Sequence, residues 1–149
     1  MSLKTVERPA LNVVGLQIRT KPMSPEIPAL WPKFVARIPE IPDPAEPKVS
    51  YGVMKYEAGT LTYSATVSVK GRSPAPAGMV AITLPAGTYA TFAYPISGLQ
   101  KGFGEIYNQL LPASNYVQEP GLFFERYDEK FDPRDPNALV EICLPVRPK

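Results

Sequence analysis

Hydrophobic and polar residues alternate in short runs along much of this chain, and two stretches replace that rhythm with helical spacing. Over residues 11–19, Val14, Leu16 and Ile18 share one face, the two-residue period of a strand. Ile27, Leu30, Trp31, Phe34, Val35 and Ile38 then recur every three or four residues and predict a helix, with Ser24 as N-cap and Pro25 at its first position. Pro28 and Pro32 fit that helix poorly, because an interior proline removes a hydrogen bond and crowds the preceding turn, so a late start or a kink is expected. Residues 49–57 and 61–70 predict a hairpin turning near Ala58 and Gly59. In its second arm Leu61, Tyr63, Ala65, Val67 and Val69 alternate with Thr62, Ser64, Thr66 and Ser68, the pattern of a half-buried strand with a polar outer face.

The order then begins again. Residues 79–84 and 88–94 are strand-like on either side of Pro85, Ala86 and Gly87. Leu99, Phe103, Ile106, Tyr107 and Leu110 mark a second helix, with Ser97 as its cap and Pro112 as its stop. Gly102 and Gly104 weaken that helix and suit either close packing or a mobile wall. Two further strands are expected over residues 121–130 and 138–146. Both halves read strand, helix, strand, strand. The expectation is one α+β domain over 1–149, built from duplicated β-α-β-β units (about 10–70 and about 79–147, linker 71–78). A pseudo-twofold axis would relate the units, with an antiparallel sheet, two main helices and a cleft between the repeats.

Composition narrows the chemistry. The 149 residues include one cysteine, Cys143, and no histidine, which excludes an intrachain disulfide, a Cys/His zinc site and a Ser-His-Asp triad. Acid-base work would fall to carboxylates, Tyr or Lys. No metal and no cofactor is expected. A net charge of +2 without a Lys/Arg cluster argues against direct nucleic-acid binding. No apolar run is long enough to span a membrane and no signal peptide is visible, so a cytoplasmic location is expected. Eight of the 19 prolines gather in three clusters that read as stiff connectors, the first (38–47) as a connector rather than a lid.

One carboxylate stands out. Leu122, Phe123, Phe124, Glu125, Arg126 and Tyr127 form the most aromatic strand, and alternation puts Glu125 between Phe123 and Tyr127 on one face. Such a carboxylate stays wet, finds a cation or becomes neutral. A solvated or ion-paired strand glutamate is the plain alternative to a pocket. Arg126 projects to the opposite face and is a poor partner. Cys143 has nothing nearby in sequence to activate it, and Glu57, Asp128 and Glu141 read as surface charges.

Four motifs of the second half are distinctive: the run from Leu84 through Pro85, Ala86, Gly87 and Thr88 to Tyr89 and Ala90; Tyr107 through Leu110, Leu111 and Pro112 to Tyr116; Phe124-Glu125-Arg126-Tyr127; and Val140 through Cys143 to Val146. Leu30-Trp31-Pro32-Lys33-Phe34 and Tyr51-Gly52-Val53 accompany them in the first half. Together these motifs resemble the GyrI-like, or AraC-type effector-binding, domain family. The resemblance implies the duplicated fold and an aromatic pocket between repeats with a glutamate at its base. It implies a stand-alone module for a lipophilic or cationic small molecule, any effect on DNA requiring a separate partner. Glu125, Trp31, Tyr51, Tyr63, Tyr107 and Tyr127 are the expected ligand-binding residues, while Phe92 and Phe123 read as core. Leu110 stands where the family often has Trp, implying a less aromatic wall. Two alternatives accompany this reading: a small hydrolase with Glu125 as general acid or base and Tyr127 or Tyr107 in support, and a gyrase-inhibitor-like module with a protein partner.

Overall fold

Only two residues separate β1 (Lys4–Arg8) from β2 (Leu11–Thr20), yet these strands lie near opposite ends of one sheet. The computed structural model describes residues 3–72 and 74–149, so Ser73 of the second proline cluster lies outside the described residues. After β2 come α1 (Glu26–Val35), β3 (Ser50–Glu57), β4 (Thr60–Ser68), β5 (Val80–Leu84), β6 (Gly87–Pro95), α2 (Leu99–Glu105), β7 (Tyr116–Gln118), β8 (Phe123–Tyr127) and β9 (Leu139–Pro148). The strands pair antiparallel in the order β1-β6-β9-β8-β3-β4-β2-β5, with β7 against the end of β9. Laid flat, the six spacings from β1 to β2 would separate them by roughly 29 Å. The link from Arg8 to Leu11 spans about 10 Å at most. The sheet therefore curls into a half-barrel. The short link through Pro85 and Ala86 imposes the same constraint on β5 and β6.

Three apolar clusters follow from that curl. Leu30 and Phe34 of α1 pack on Leu61, Tyr63, Ala65 and Val67 of β4. Leu99 of α2 and the following Ile106 pack on β6 and β9 through Phe92, Val140, Ile142 and Leu144. The third cluster joins Val13 and Leu84 from one end of the strand order to Tyr89 and Cys143 from the other, with Tyr51 and Phe124 between, and so fills the inner side of the curl. Phe103 and Phe123 touch both helix-bearing clusters. The two halves meet there, over the β3–β8 seam.

The architecture is the expected α+β, antiparallel arrangement with two main helices, and several local readings are corrected. The polar face of β4 is not solvated: Ser64, Thr66 and Ser68 are buried because the curl covers that side as well. Their hydroxyls are satisfied by Gln17 (3.1 Å), the Tyr51 carbonyl (2.9 Å) and Glu46 (2.8 Å). Helix α1 has Pro25 rather than Ser24 as N-cap, although Ser24 Oγ accepts the Glu26 N–H at 3.1 Å. Pro28 sits in the first turn, where a missing N–H costs no helical bond, and Pro32 is the proline inside the helix. Gly98 caps α2, and Ser97 belongs to a 3-10 turn over Ile96–Gly98. The second helix then changes pitch, with a π-helical turn over Ile106–Leu110 in which the Leu111 N–H donates to the Ile106 carbonyl at 2.8 Å. Strands β1 and β7 were not anticipated, being short and without clear alternation.

The β3–β4 hairpin closes through Ala58 (φ 50°) and Gly59 (φ 82°), both left-handed as a two-residue hairpin turn requires. Alanine is poorly suited to that conformation, whereas asparagine adopts it readily. Ala58→Asn is therefore expected to stabilise the fold by about 0.5–1 kcal/mol, read as a melting temperature raised by about 1–4 °C.

Candidate functional site

Strand β8 lies in the middle of the sheet between β3 and β9, and its register sets Glu125 directly opposite Gly52. The pleat turns Phe123, Glu125 and Tyr127 toward the helices and Phe124 into the inner cluster. On that other face Arg126 is engaged by Glu141 at 3.0 Å and Glu46 at 3.9 Å. Glu125 is 5% exposed. Tyr127 donates its hydroxyl to Glu125 Oε1 at 2.8 Å and Tyr63 donates to the same oxygen at 3.1 Å. The Trp31 Nε1–H donates in turn to the Tyr63 oxygen at 3.1 Å. One carboxylate oxygen thus anchors a chain of donors from α1, β4 and β8. Among the described residues, none donates to Oε2 and no Lys or Arg forms an ion pair with Glu125.

The electrostatics follow from burial. Desolvation raises the Glu125 carboxyl above the ordinary carboxylate range, while the Tyr127 and Tyr63 hydrogen bonds pull it down. Tyr63 and Tyr127 are pushed well above the usual phenol value, first by burial and then by the neighbouring carboxylate. Both phenols therefore remain donors at any ordinary pH. The Cys143 thiol, on the inner side, is pushed up to about 11 by burial and stays protonated.

Above this floor lies a cavity of about 1290 Å³. Ile27 and Trp31 wall it from α1, Leu99 and Phe103 from α2, and Tyr107 from the π-helical turn. Phe103 and Tyr107 stack at 6.5 Å, and Trp31 meets Tyr127 edge-on at 5.3 Å. No group of three or more His, Cys, Asp or Glu among the described residues is placed to hold a metal ion, and no described helix is long and apolar enough to cross a membrane.

The model of the GyrI-like small molecule binding domain matches residues 1–147. The chain belongs to the GyrI-like family. It is 35% identical over 150 residues to the transcriptional regulator BrlR of Pseudomonas aeruginosa, an alignment covering 98% of this chain and 56% of that protein. The chain thus spans about half the length of that relative. Among solved structures it shares its fold with SAV2435 bound to tetraphenylphosphonium (TM-score 0.76, 18% identity, covering 99% of this chain and 94% of that one). It likewise resembles EcmrR in its complex with DNA (TM-score 0.75, 14% identity, 99% and 58% covered). This is a small-molecule-binding domain related to the effector-binding domains of regulators.

Within this GyrI-like domain, Glu125, Trp31, Tyr63, Tyr107 and Tyr127 all line the one cavity. Tyr51 does not. It pairs with Arg126 rather than Glu125, so it points into the inner cluster, where it packs on Phe124 and donates to Glu46 at 2.8 Å. Phe123, read as core, is a half-buried cavity wall, whereas Phe92 is core. Leu110 packs on the α2 cluster instead of lining the cavity. The first proline cluster also stays clear of it and is tied down through Pro44, which bridges to Val69. Gly102 is the close-packing glycine, since a Cβ there would lie 2.6 Å from the Tyr94 ring.

Gly52 was missed as a site residue. A Cβ on it would lie 2.3 Å from the Tyr63 hydroxyl and 2.9 Å from Glu125 Oε1. The only sequence signal was a glycine inside an otherwise continuous strand pattern, the mark of a close approach. Gly52→Ala is expected to displace Tyr63, costing about 1–3 kcal/mol and shifting the emission of Trp31, the single tryptophan. Glu125→Gln has the opposite sign. Below about pH 4.3 the carboxyl is protonated in both folded and unfolded chains. As pH rises through the raised folded value, a buried group must ionise and stability is lost. The glutamine variant is therefore expected to melt above the parent at pH 8, with the gap closing toward pH 4.

Proposed function

We propose that this domain binds a lipophilic cation, with Glu125 as the countercharge and Trp31, Tyr63, Tyr107 and Tyr127 as aromatic walls. One observation carries the reading: a buried carboxylate beneath an aromatic cavity has two phenol donors and no cation of its own among the described residues. A ligand cation would relieve the desolvated charge and gain about 0.5–2 kcal/mol per well-placed ring. The likeness to a protein bound to tetraphenylphosphonium, itself a lipophilic cation, supports the same chemistry. The regulator relatives support a role in effector sensing. The strand order, mirrored about the β3–β8 seam, supports a duplicated unit with the cavity at its junction.

Titration with tetraphenylphosphonium, followed through Trp31 fluorescence, tests this. Glu125→Gln should weaken binding about tenfold or more, equivalent to at least ~1.4 kcal/mol, and leave an uncharged aromatic compound unaffected. Equal affinity for the cation in both proteins would sink the countercharge role. The pH dependence has a definite sign. Because the ligand is permanently charged, affinity should be flat above the raised Glu125 value and fall by up to about tenfold per pH unit below it.

A further inference from the structure

The strands at the two ends of the sheet hold mirrored positions. β1 pairs with β6, the strand that follows β5, and β5 pairs with β2, the strand that follows β1. Among the described residues each is paired on one side only, so each leaves a row of backbone N–H and C=O groups open. An open row of this kind is a template for a further strand.

Only one of the two edges is guarded. β1 carries Lys4, Glu7 and Arg8 within its five residues, and such charges keep an open edge from pairing. β5 carries none, and it lies within residues 73–100, which contain no Asp, Glu, Lys or Arg. Inside that run β6 is covered on both sides by β1 and β9 and needs no charge. β5 has no such cover. Its Val80, Ile82 and Thr83 are β-branched and favour a strand, while its exposed residues, Ala81 and Thr83, are too small to obstruct a neighbour. The strand also matches itself in register. Ile82 and Leu84 face the inner cluster, and alternation puts Val80 on their side. Two β5 strands running antiparallel about Ile82 set Val80 opposite Leu84 and Ala81 opposite Thr83. Inner side chains then meet inner ones, and exposed side chains meet exposed ones.

We infer that β5 is an interface between two copies of this chain, paired antiparallel about Ile82 so that two sheets continue as one. The edge offers a foreign strand no charge to recognise, whereas its own sequence fits it residue for residue with no like charges opposed. The pairing closes on itself. Each copy uses its one unguarded edge, and the charged β1 edges stop further growth. Five residues a side is well short of the roughly 20–30 of a standard interface, so the dimer is weak and depends on concentration.

Sedimentation velocity over a dilution series from about 1 mM down to about 1 μM should show a dimer giving way to monomer, with no larger species. Amide exchange within β5 should slow as concentration rises. Ala81→Lys/Thr83→Lys sets lysine opposite lysine across the twofold and should weaken association about tenfold or more. Ala81→Lys/Thr83→Glu sets opposite charges together and should return it to within about threefold of the parent. Both positions are exposed, so both variants should fold and melt as the parent does. Thr5→Lys on the β1 edge should leave association unchanged. A chain still monomeric at about 1 mM would overturn the second-copy assignment and leave the edge to a foreign strand. A dimer that survives the double lysine variant would remove β5 from the interface, and one lost equally in both double variants would overturn the register about Ile82.

Discussion

The placement of a single carboxylate against a single glycine organises this molecule's chemistry. Glu125 sits in a central strand, where both neighbours are paired and solvent is remote. A lone ionised carboxylate in that position is costly. The two phenols offset part of the cost, and both reach the same oxygen only because Gly52 leaves room for the Tyr63 hydroxyl. The second oxygen accepts nothing from the described residues, so its acceptor capacity faces the cavity. A protein selecting only for stability would place an apolar side chain or an internal cation here. Local inconsistency of this kind is what functional sites tolerate.

The sheet explains why the glutamate and the cavity coincide. Short links force the ends of the strand order together, and the curl then divides the outer face into two helix-covered halves. Each helix satisfies its own half, α1 over β4 and α2 over β6 and β9. The β3–β8 seam belongs to neither. Among the described residues, Phe103 and Phe123 are the packed hydrophobics that touch both clusters, and the space beside them is the cavity. The π-helical turn places Tyr107 over this seam, a local change of pitch often found at functional sites.

Much of this was legible in the sequence, and the failures have physical causes. Two-residue alternation was enough to place Phe123, Glu125 and Tyr127 on one face, and three-to-four spacing found both helices. Alternation within one strand does not give its register against the next, so the sequence counts Tyr51 among the ligand-binding residues although it lies one residue from Gly52 and on the opposite face. Pairing with Arg126 instead of Glu125 moves its ring to the inner cluster. Burial of Ser64, Thr66 and Ser68 was equally invisible, because a polar row reads as solvated unless the curl that covers it is known. The role of Gly52 depends on the cross-strand neighbours of two other strands, which no local pattern encodes.

The same geometry bears on how such a site discriminates. A pocket that recognises its ligand through many buried hydrogen bonds rejects analogues sharply, because each missing group leaves a partner unpaired. Under the proposed reading, polar recognition rests on one carboxylate, whose phenol partners are already satisfied by it. Much of the remaining wall is aromatic or aliphatic, while Lys55, Glu57, Gln118, Glu119 and Arg147 line it as well. Under that reading, selection would rest on charge sign and on the ability to fill a seam between two separately packed halves. A ligand occupying that seam touches α1 and α2 at once, adding contacts between clusters that otherwise meet at two phenylalanines. Occupancy would stiffen the relation between the halves more than it would change either one, and a domain related to the sensing parts of larger regulators has use for that coupling.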